Sequence, residues 1–449
     1  MNRPVPHPAS SLRTAGAPAG ADRHTRMCRL LTTCCGVALT APMGLAQALP
    51  QFTHPTAITN PFYPVAQTKH SVTLGVDSGD AFRTEVALLP TTLLIHWAGG
   101  VTRTRISQYS AYRNGDLIEV AYDFFAQADN GDLYYFGEDV FNYEDGVVAN
   151  THGTWRAAVG GAPPGLIMPA HPTVGMVFHP ENFLPLVWEE DTVVSLTEPT
   201  QTPLGPISNG LLIHELLLDN TEELKVYAHG FGQVELREAD AASHMALLNR
   251  TNAPNRQVPF ALRVIESRSA AALDAAPHWW QVHANVMAIT WAWSVYRNPA
   301  IQAGAPPEFV ASMAQEVIHL VAAAQAHDLD ETQEAASDLR RAAIDMFRVY
   351  NPRVPVDIKR IAHLEREVML DAQAGDWTEV AVLNANAQAV TWARLRPFVL
   401  QRPGGASRAA EVDEAFADLL EAIDEEDAED AIEAAEDVIE AVEDLVVLF

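Results

Sequence analysis

The chain has 449 residues, 29 Lys plus Arg against 58 Asp plus Glu, and a formal net charge of −29. An excess of carboxylate on that scale repels phosphate backbones and anionic lipid surfaces, so it argues against nucleic acid as a partner and favours cations in a generic sense. Its 3 cysteines, Cys28, Cys34 and Cys35, all fall near the N-terminus.

Residues 1–48 read as a leader and signal peptide. Arg23, Arg26 and Arg29 form a basic segment, Leu30 to Leu45 is mostly apolar, and Ala46-Gln47-Ala48 offers the small residues that a signal peptidase needs. Cleavage after Ala48 leaves a mature chain with no cysteine, expected to be exported to a periplasm or secreted and to be stabilised without disulfides. The stretch from Met1 to Ala21 is rich in Pro, Ala and Ser, so a start at Met27 is an alternative that leaves the mature chain unchanged. Leu31-Thr-Thr-Cys34 has the outline of a lipobox, but Thr33 fits poorly before a lipidated Cys and the Ala-x-Ala site favours cleavage. Loss of the segment removes five Arg and one Asp, leaving 24 basic against 57 acidic residues. No later stretch offers the ~18 uninterrupted apolar residues of a span, so no transmembrane segment is expected in the mature chain.

Over residues 50–268 the pattern is that of an antiparallel β domain. Short β-branched or alternating runs such as Leu117–Phe125, Leu133–Phe136 and Leu224–Ala228 are separated by Asn114-Gly115, Asp129-Asn-Gly-Asp132, Glu144-Asp-Gly146 and Asp219-Asn220. Asn and Gly accept positive φ, which makes these strong hairpin signals. Strands at about ten-residue spacing with no helical period predict a meander closed into a barrel-like form. The proline-rich stretch from Gly160 to Pro185 is expected to be irregular and to cross an end of the sheet.

After a Ser/Ala bridge at 267–276 the period becomes helical, and 277–449 reads as an α-helical bundle. One leading helix from Trp279 precedes three hairpins, about 308–350, 357–397 and 409–448, each with an Asp near its middle. Asp328 and Asp376 are followed three residues later by Glu331 and Glu379, the spacing of a capping box. The fold class is therefore α+β multidomain. The last hairpin carries 17 Asp or Glu and no Lys or Arg from Ala409 to Phe449, yet Val412, Phe416, Leu419 and Ile423 keep three-and-four spacing, so it reads as an amphipathic pair with a solvated acidic face.

Candidate chemistry is sparse. In the helical part His283 and Met287, Glu316 and His319, and His363 and Glu367 sit one turn apart, and together they sketch a His/Met/Glu metal site for copper, iron or haem. A di-iron bundle would need a second Glu-x-x-His, which is absent. In the β part His96, Trp97, His152 and Trp155 are placed to line a pocket mouth. Glu138-Asp139 and Glu189-Glu190-Asp191 hold adjacent carboxylates whose neighbours point to opposite faces of a strand, a poor arrangement for an acid/base pair. No Gly-x-Ser-x-Gly elbow, His-Glu-x-x-His or phosphate-cradling loop occurs, so the chain does not read as an enzyme.

Ile58-Thr-Asn-Pro-Phe-Tyr-Pro64, Asp123-Phe-Phe-Ala-Gln-Ala-Asp-Asn-Gly-Asp-Leu-Tyr-Tyr-Phe-Gly-Glu-Asp139, Gly165-Leu-Ile-Met-Pro169 and Tyr227-Ala-His-Gly-Phe-Gly232 resemble an exported bacterial β-rich family of hypothetical proteins over about residues 55–240. The resemblance implies export and a β fold, and it carries no activity. The expected function is that of an exported binding or accessory protein whose β domain holds an apolar small ligand or a protein partner, with the helical part as an interaction element. Metal handling in the bundle is the alternative.

Overall fold

Period-2 burial builds the first half of the chain into a single antiparallel sheet. The computed structural model describes residues 49–65, 70–77, 79–144, 146–202, 205–238, 244–250 and 255–449; the leader and signal segment, 1–48, lies outside the described residues. The strands are β1 His70–Asp77, β2 Asp80–Trp97, β3 Gly100–Arg113, β4 Asp116–Gln127, β5 Leu133–Glu144, β6 Val147–Asn150, β7 Trp155–Arg156, β8 Gly165–Met168, β9 Val177–Phe183, β10 Val187–Thr202, β11 Gly205–Leu217, β12 Glu222–Ala228, β13 Gly232–Glu238 and β14 His244–Arg250. Their order across the sheet is β6-β5-β4-β3-β2-β1-β14-β13-β12-β11-β10-β9, with β7 and β8 both paired to β5. The chain thus starts in the middle of the sheet, meanders to one end, crosses through β7 and β8, and meanders back from the other end. Because β8 adjoins β9, the two ends approach and the sheet curls into a half-barrel.

The turn chemistry accounts for the hairpins. Asn114 and Gly115 both take positive φ, 52° and 102°, the pair of values a type I′ turn requires. The stretch expected to be irregular at 160–185 contains β8 and β9. Prolines hide short strands from a pattern reading, yet an edge strand such as β9 tolerates Pro180 because one row of its N–H groups needs no partner.

The helices are α1 Phe260–Ala275, α2 Trp279–Gln302, α3 Pro307–Ala326, α4 Leu329–Phe347, α5 Val356–Ala374, α6 Trp377–Ala385, α7 Ala393–Leu400, α8 Gly405–Glu425 and α9 Ala428–Glu443, with a π-helical turn at Asn386–Trp392 joining α6 to α7. The Ser/Ala bridge is therefore mostly helix: α1 begins at Phe260 and buries Ile265, Ala272 and Leu273 against α2 and α4. Asp328, Asp376 and Asp427 each accept a backbone N–H in the turn that follows, and left-handed His327, Gly375 and Glu426 close the helices before them. The long apolar stripes are therefore antiparallel pairs rather than kinked rods. Among the described residues only Phe309–Ala326 is long and apolar enough to cross a membrane. It includes Glu316, and its Met313, Val317, Leu320 and Ala324 are packed into the helical core.

Asp427 tests the capping argument, since its Oδ1 accepts from Glu429 N at 3.0 Å and Asp430 N at 3.2 Å. Asp427→Ala is expected to cost about 1 kcal/mol, read as a lower urea midpoint with an unchanged slope.

The two faces of the central strands go to different partners. Ser71, Thr73, Thr84 and Val86 face the concave side. Val72 and Leu74 lie on the convex side in the core shared with α1–α4, and Arg83 and Glu85 share that face. Glu85 receives Arg360 Nη1 at 2.7 Å, Arg83 Nε at 3.1 Å, and Arg348 Nη2 and Arg394 Nη2 at 3.2 Å. Arg348 and Arg394 also reach Asp357 Oδ1 at 3.0 and 2.8 Å, while Arg360 and Arg83 bind Asp345. This buried network fixes the helices on the sheet.

Candidate functional site

Carboxylates inside the curled sheet form the most unusual chemistry in the molecule. Strand pairing places them in register: Ser107 of β3 opposes Asp123 of β4, which opposes Glu138 of β5. From the other end of the sheet, Glu181 of β9 opposes Glu189 of β10, and Asp191 of β10 opposes Glu215 of β11. Where the two ends meet, Glu138 and Glu181 share a hydrogen bond, and Trp155 Nε1 donates to Glu181 Oε1 at 2.8 Å. A belt of acids therefore runs around the inner wall.

Gly137 makes that belt possible. On a regular strand Tyr135 and Glu138 would face opposite sides. The register shift between Asp123 and Phe125 gives β5 an extra residue, so both enter the concave side, as a bulge allows. Gly137 sits in it at φ +118°, and a Cβ there would lie 2.2 Å from the Trp155 carbonyl oxygen. Asp139, which follows Glu138, points outward to Arg156 Nη2 at 2.6 Å.

Beside the belt lies a cavity of about 340 Å³, lined by Tyr63, Tyr109, Phe125 and Tyr135 and by Glu119, Asp123, Glu138 and Lys225. The rings form a wall: Phe125 and Tyr135 stack at 5.1 Å, and Tyr63 stands 5.4 Å from Phe125. Ser107 Oγ and Tyr135 OH donate to Asp123 at 3.0 and 2.8 Å.

Electrostatics follow from burial with too few cations. Burial pushes Asp123 up to about 6, against the two hydrogen bonds that favour its charge. Glu119 rises to about 6 through burial and the nearby Asp123. Burial raises Glu138 and Glu189 well above the usual carboxylate range, with Asp123 and Glu181 adding to the first and Glu215 and Asp191 to the second. Asp191 rises well above its usual value through burial and then Glu215. Lys225 Nζ lies 2.5 Å from Glu215 and 3.5 Å from Glu223; burial opposes its charge, but those carboxylates outweigh burial and hold its pKa well above normal.

The sequence-predicted residues fall differently. Trp155 belongs to the belt. Trp97 lies in a separate aromatic cluster with Phe52 and Phe136, its Nε1 donating to Thr102 at 2.8 Å, and His96 and His152 are exposed, so these four do not form one pocket. In the helices His283 bonds the Trp279 carbonyl at 2.6 Å and stands edge-on to His327, and Met287 is exposed. Glu316 faces Asp338 and Arg341, His319 pairs with Glu331 at 2.8 Å, and His363 is buried 3.7 Å from Glu367, which accepts from Ser337. Burial, with Arg340 and Arg341 adding to it, holds His363 well below its usual value. Among the described residues, the metal-type donors that converge are instead Glu189, Asp191 and Glu215, whose ligand atoms lie within 4.8 Å of one another.

No family model, curated protein or solved structure matches this chain. Sequence reasoning passed over the belt and the cavity because it weighed adjacent carboxylates only. The signal was the i,i+2 spacing of Glu189 and Asp191 and of Glu223 and Lys225, which places each pair on one face.

Proposed function

We propose that this is an exported binding protein whose curled sheet holds a small cationic organic molecule, an amine with an apolar body. The observation that carries this reading is the cavity beside Asp123, where three carboxylates meet an aromatic wall and the only base among the described lining residues, Lys225, is already engaged by Glu215 and Glu223. Buried carboxylates without counter-charge stay protonated or acquire a cation. Aromatic faces attract that cation and cover its apolar part. The signal-like segment and the resemblance of residues 55–240 to an exported β-rich family support the compartment. An apolar ligand, expected from the sequence, fits the wall but leaves the acids unused.

Phenethylamine is the test probe, with benzyl alcohol as its neutral counterpart. The amine is expected to bind and raise the melting temperature, and Asp123→Asn should weaken it by about tenfold or more, the value of one charge-assisted hydrogen bond. Affinity should climb as pH rises through about 6, where Asp123 and Glu119 ionise. The free protein should show the opposite trend. Its raised carboxyls bind more protons than those of the unfolded chain, so stability falls as pH rises through the same range. Equal binding of the amine and the alcohol would defeat the reading.

Metal handling is a second reading, favoured by the convergence of Glu189, Asp191 and Glu215 and by the buried Asp191 Oδ1, which has no hydrogen-bond partner among the described residues. Elemental analysis of protein purified without chelators separates the two.

A further inference from the structure

A second cavity, of about 620 Å³, opens where β1 meets α5 and α7, and its chemistry is the reverse of the first. Arg348, Arg353, Arg394 and Arg402 line it, with Asp357 as the one acid among the described lining residues. In a chain with twice as many acidic as basic residues, four guanidinium groups around one opening are a marked local reversal.

The buried network beneath explains why the cavity is electropositive. Arg83, Arg348, Arg360 and Arg394 are held there by Glu85, Asp345 and Asp357. Four positive charges meet three negative ones. The carboxylates are shared unevenly: Asp357 and Glu85 outweigh burial and hold Arg394 well above its usual range, while burial and then repulsion from Arg360 pull Arg83 down to about 10 despite two carboxylate partners. Arg394 is 2% exposed. Its Nη2 serves Asp357 and Glu85, while its Nε and Nη1 have no acceptor among the described residues. Buried guanidinium donors seek acceptors, and planar oxyanions match their geometry. Val356, Leu395 and Phe398 add apolar lining.

We propose that this cavity binds a small organic anion, a carboxylate or phosphate monoester head toward the arginines with an apolar body against Leu395 and Phe398. The site is separate from the acidic belt, because its arginines belong to the helical part, which packs on the convex face of the sheet. It supplies the missing negative charge of the network, so occupancy strengthens the attachment of the helices to the sheet.

Octanoate, inorganic phosphate and sodium chloride at equal ionic strength serve as probes, with the full chain followed by calorimetric titration and melting temperature. Octanoate is expected to bind and to raise the melting temperature beyond chloride. Tighter binding of octanoate than of phosphate assigns a carboxylate with a tail; the converse assigns a phosphoryl head. Arg353→Glu with Arg402→Glu changes two exposed side chains outside the network and should weaken binding by about tenfold or more, with an unchanged circular dichroism spectrum. The proposal fails if neither anion exceeds chloride, or if the double variant binds as tightly as the parent.

Discussion

Replacing Glu85 by Gln is expected to destabilise the protein by about 3–5 kcal/mol, the usual cost of removing one partner from a buried ion network. The side chain is fully buried among Arg83, Arg348, Arg360 and Arg394, and Gln keeps its shape while withdrawing the charge those groups share. The urea midpoint reads the loss. Adding Arg360→Met to Glu85→Gln should recover part of it, since the second change removes a stranded charge and the two sites are in contact. A loss below about 1 kcal/mol would mean that the network is not paired as described. Acid provides an independent check. Burial pushes Glu85, Asp345 and Asp357 upward, but their arginines outweigh it and hold all three below the ordinary carboxylate range. Their contribution is complete above the unfolded carboxylate pKa and is lost as pH falls through the lower folded values. The Glu85→Gln protein should therefore lose less on acidification than the parent.

Gly137→Ala should be nearly as damaging although it adds a single methyl group. The residue has φ +118°, and the new Cβ would meet backbone on β7, 2.2 Å from Trp155 O and 2.7 Å from Arg156 Cα. Backbone cannot rotate away as a flexible side chain can. Strain in a region reserved for glycine and overpacking each cost about 1–3 kcal/mol. Relief requires β5 to lose its bulge, which would turn Glu138 out of the cavity. A matching change at Gly79, also at positive φ but with open space where the Cβ would stand, should cost only the conformational part. Equal melting temperatures for the two variants would show that the bulge is not constrained by β7.

What the sequence discloses is local. Hairpin dipeptides such as Asn114-Gly115 and capping aspartates such as Asp376 act within a few residues of themselves, so their meaning survives without a fold. The change from period 2 to period 3.6 marks the two parts of the molecule, displaced only where α1 begins ahead of the Ser/Ala bridge. The inner acids were hidden because a strand with one polar and one apolar face looks the same whether the polar side meets water or a closed interior. The bulge at Gly137 adds a second concealment by changing the phase of β5 halfway along. The arginine network is further from view: Glu85 and Arg360 are 275 residues apart, and neither residue's neighbours announce the other. The helical histidines pose the opposite difficulty. Their one-turn spacings are real, but spacing does not disclose the surroundings: His319 pairs with Glu331, while His363 is buried with neither ring nitrogen hydrogen-bonded among the described residues.

The place of β1 in the sheet also sets a timetable. β1 is flanked by β2, its immediate successor, and by β14, which does not begin until His244. While the protein is being synthesised, the half-sheet from β1 to β6 can pair within itself, but the free edge of β1 must wait for the whole return meander. The arginines that clamp its neighbour Glu85 arrive later still. Such a non-local seam closes slowly, and an exposed strand edge held open meanwhile is a site for pairing with another chain. The second meander therefore supplies both the strand that seals β1 and, after it, the helices that hold Glu85, so the sheet can be completed only once nearly the whole chain is present.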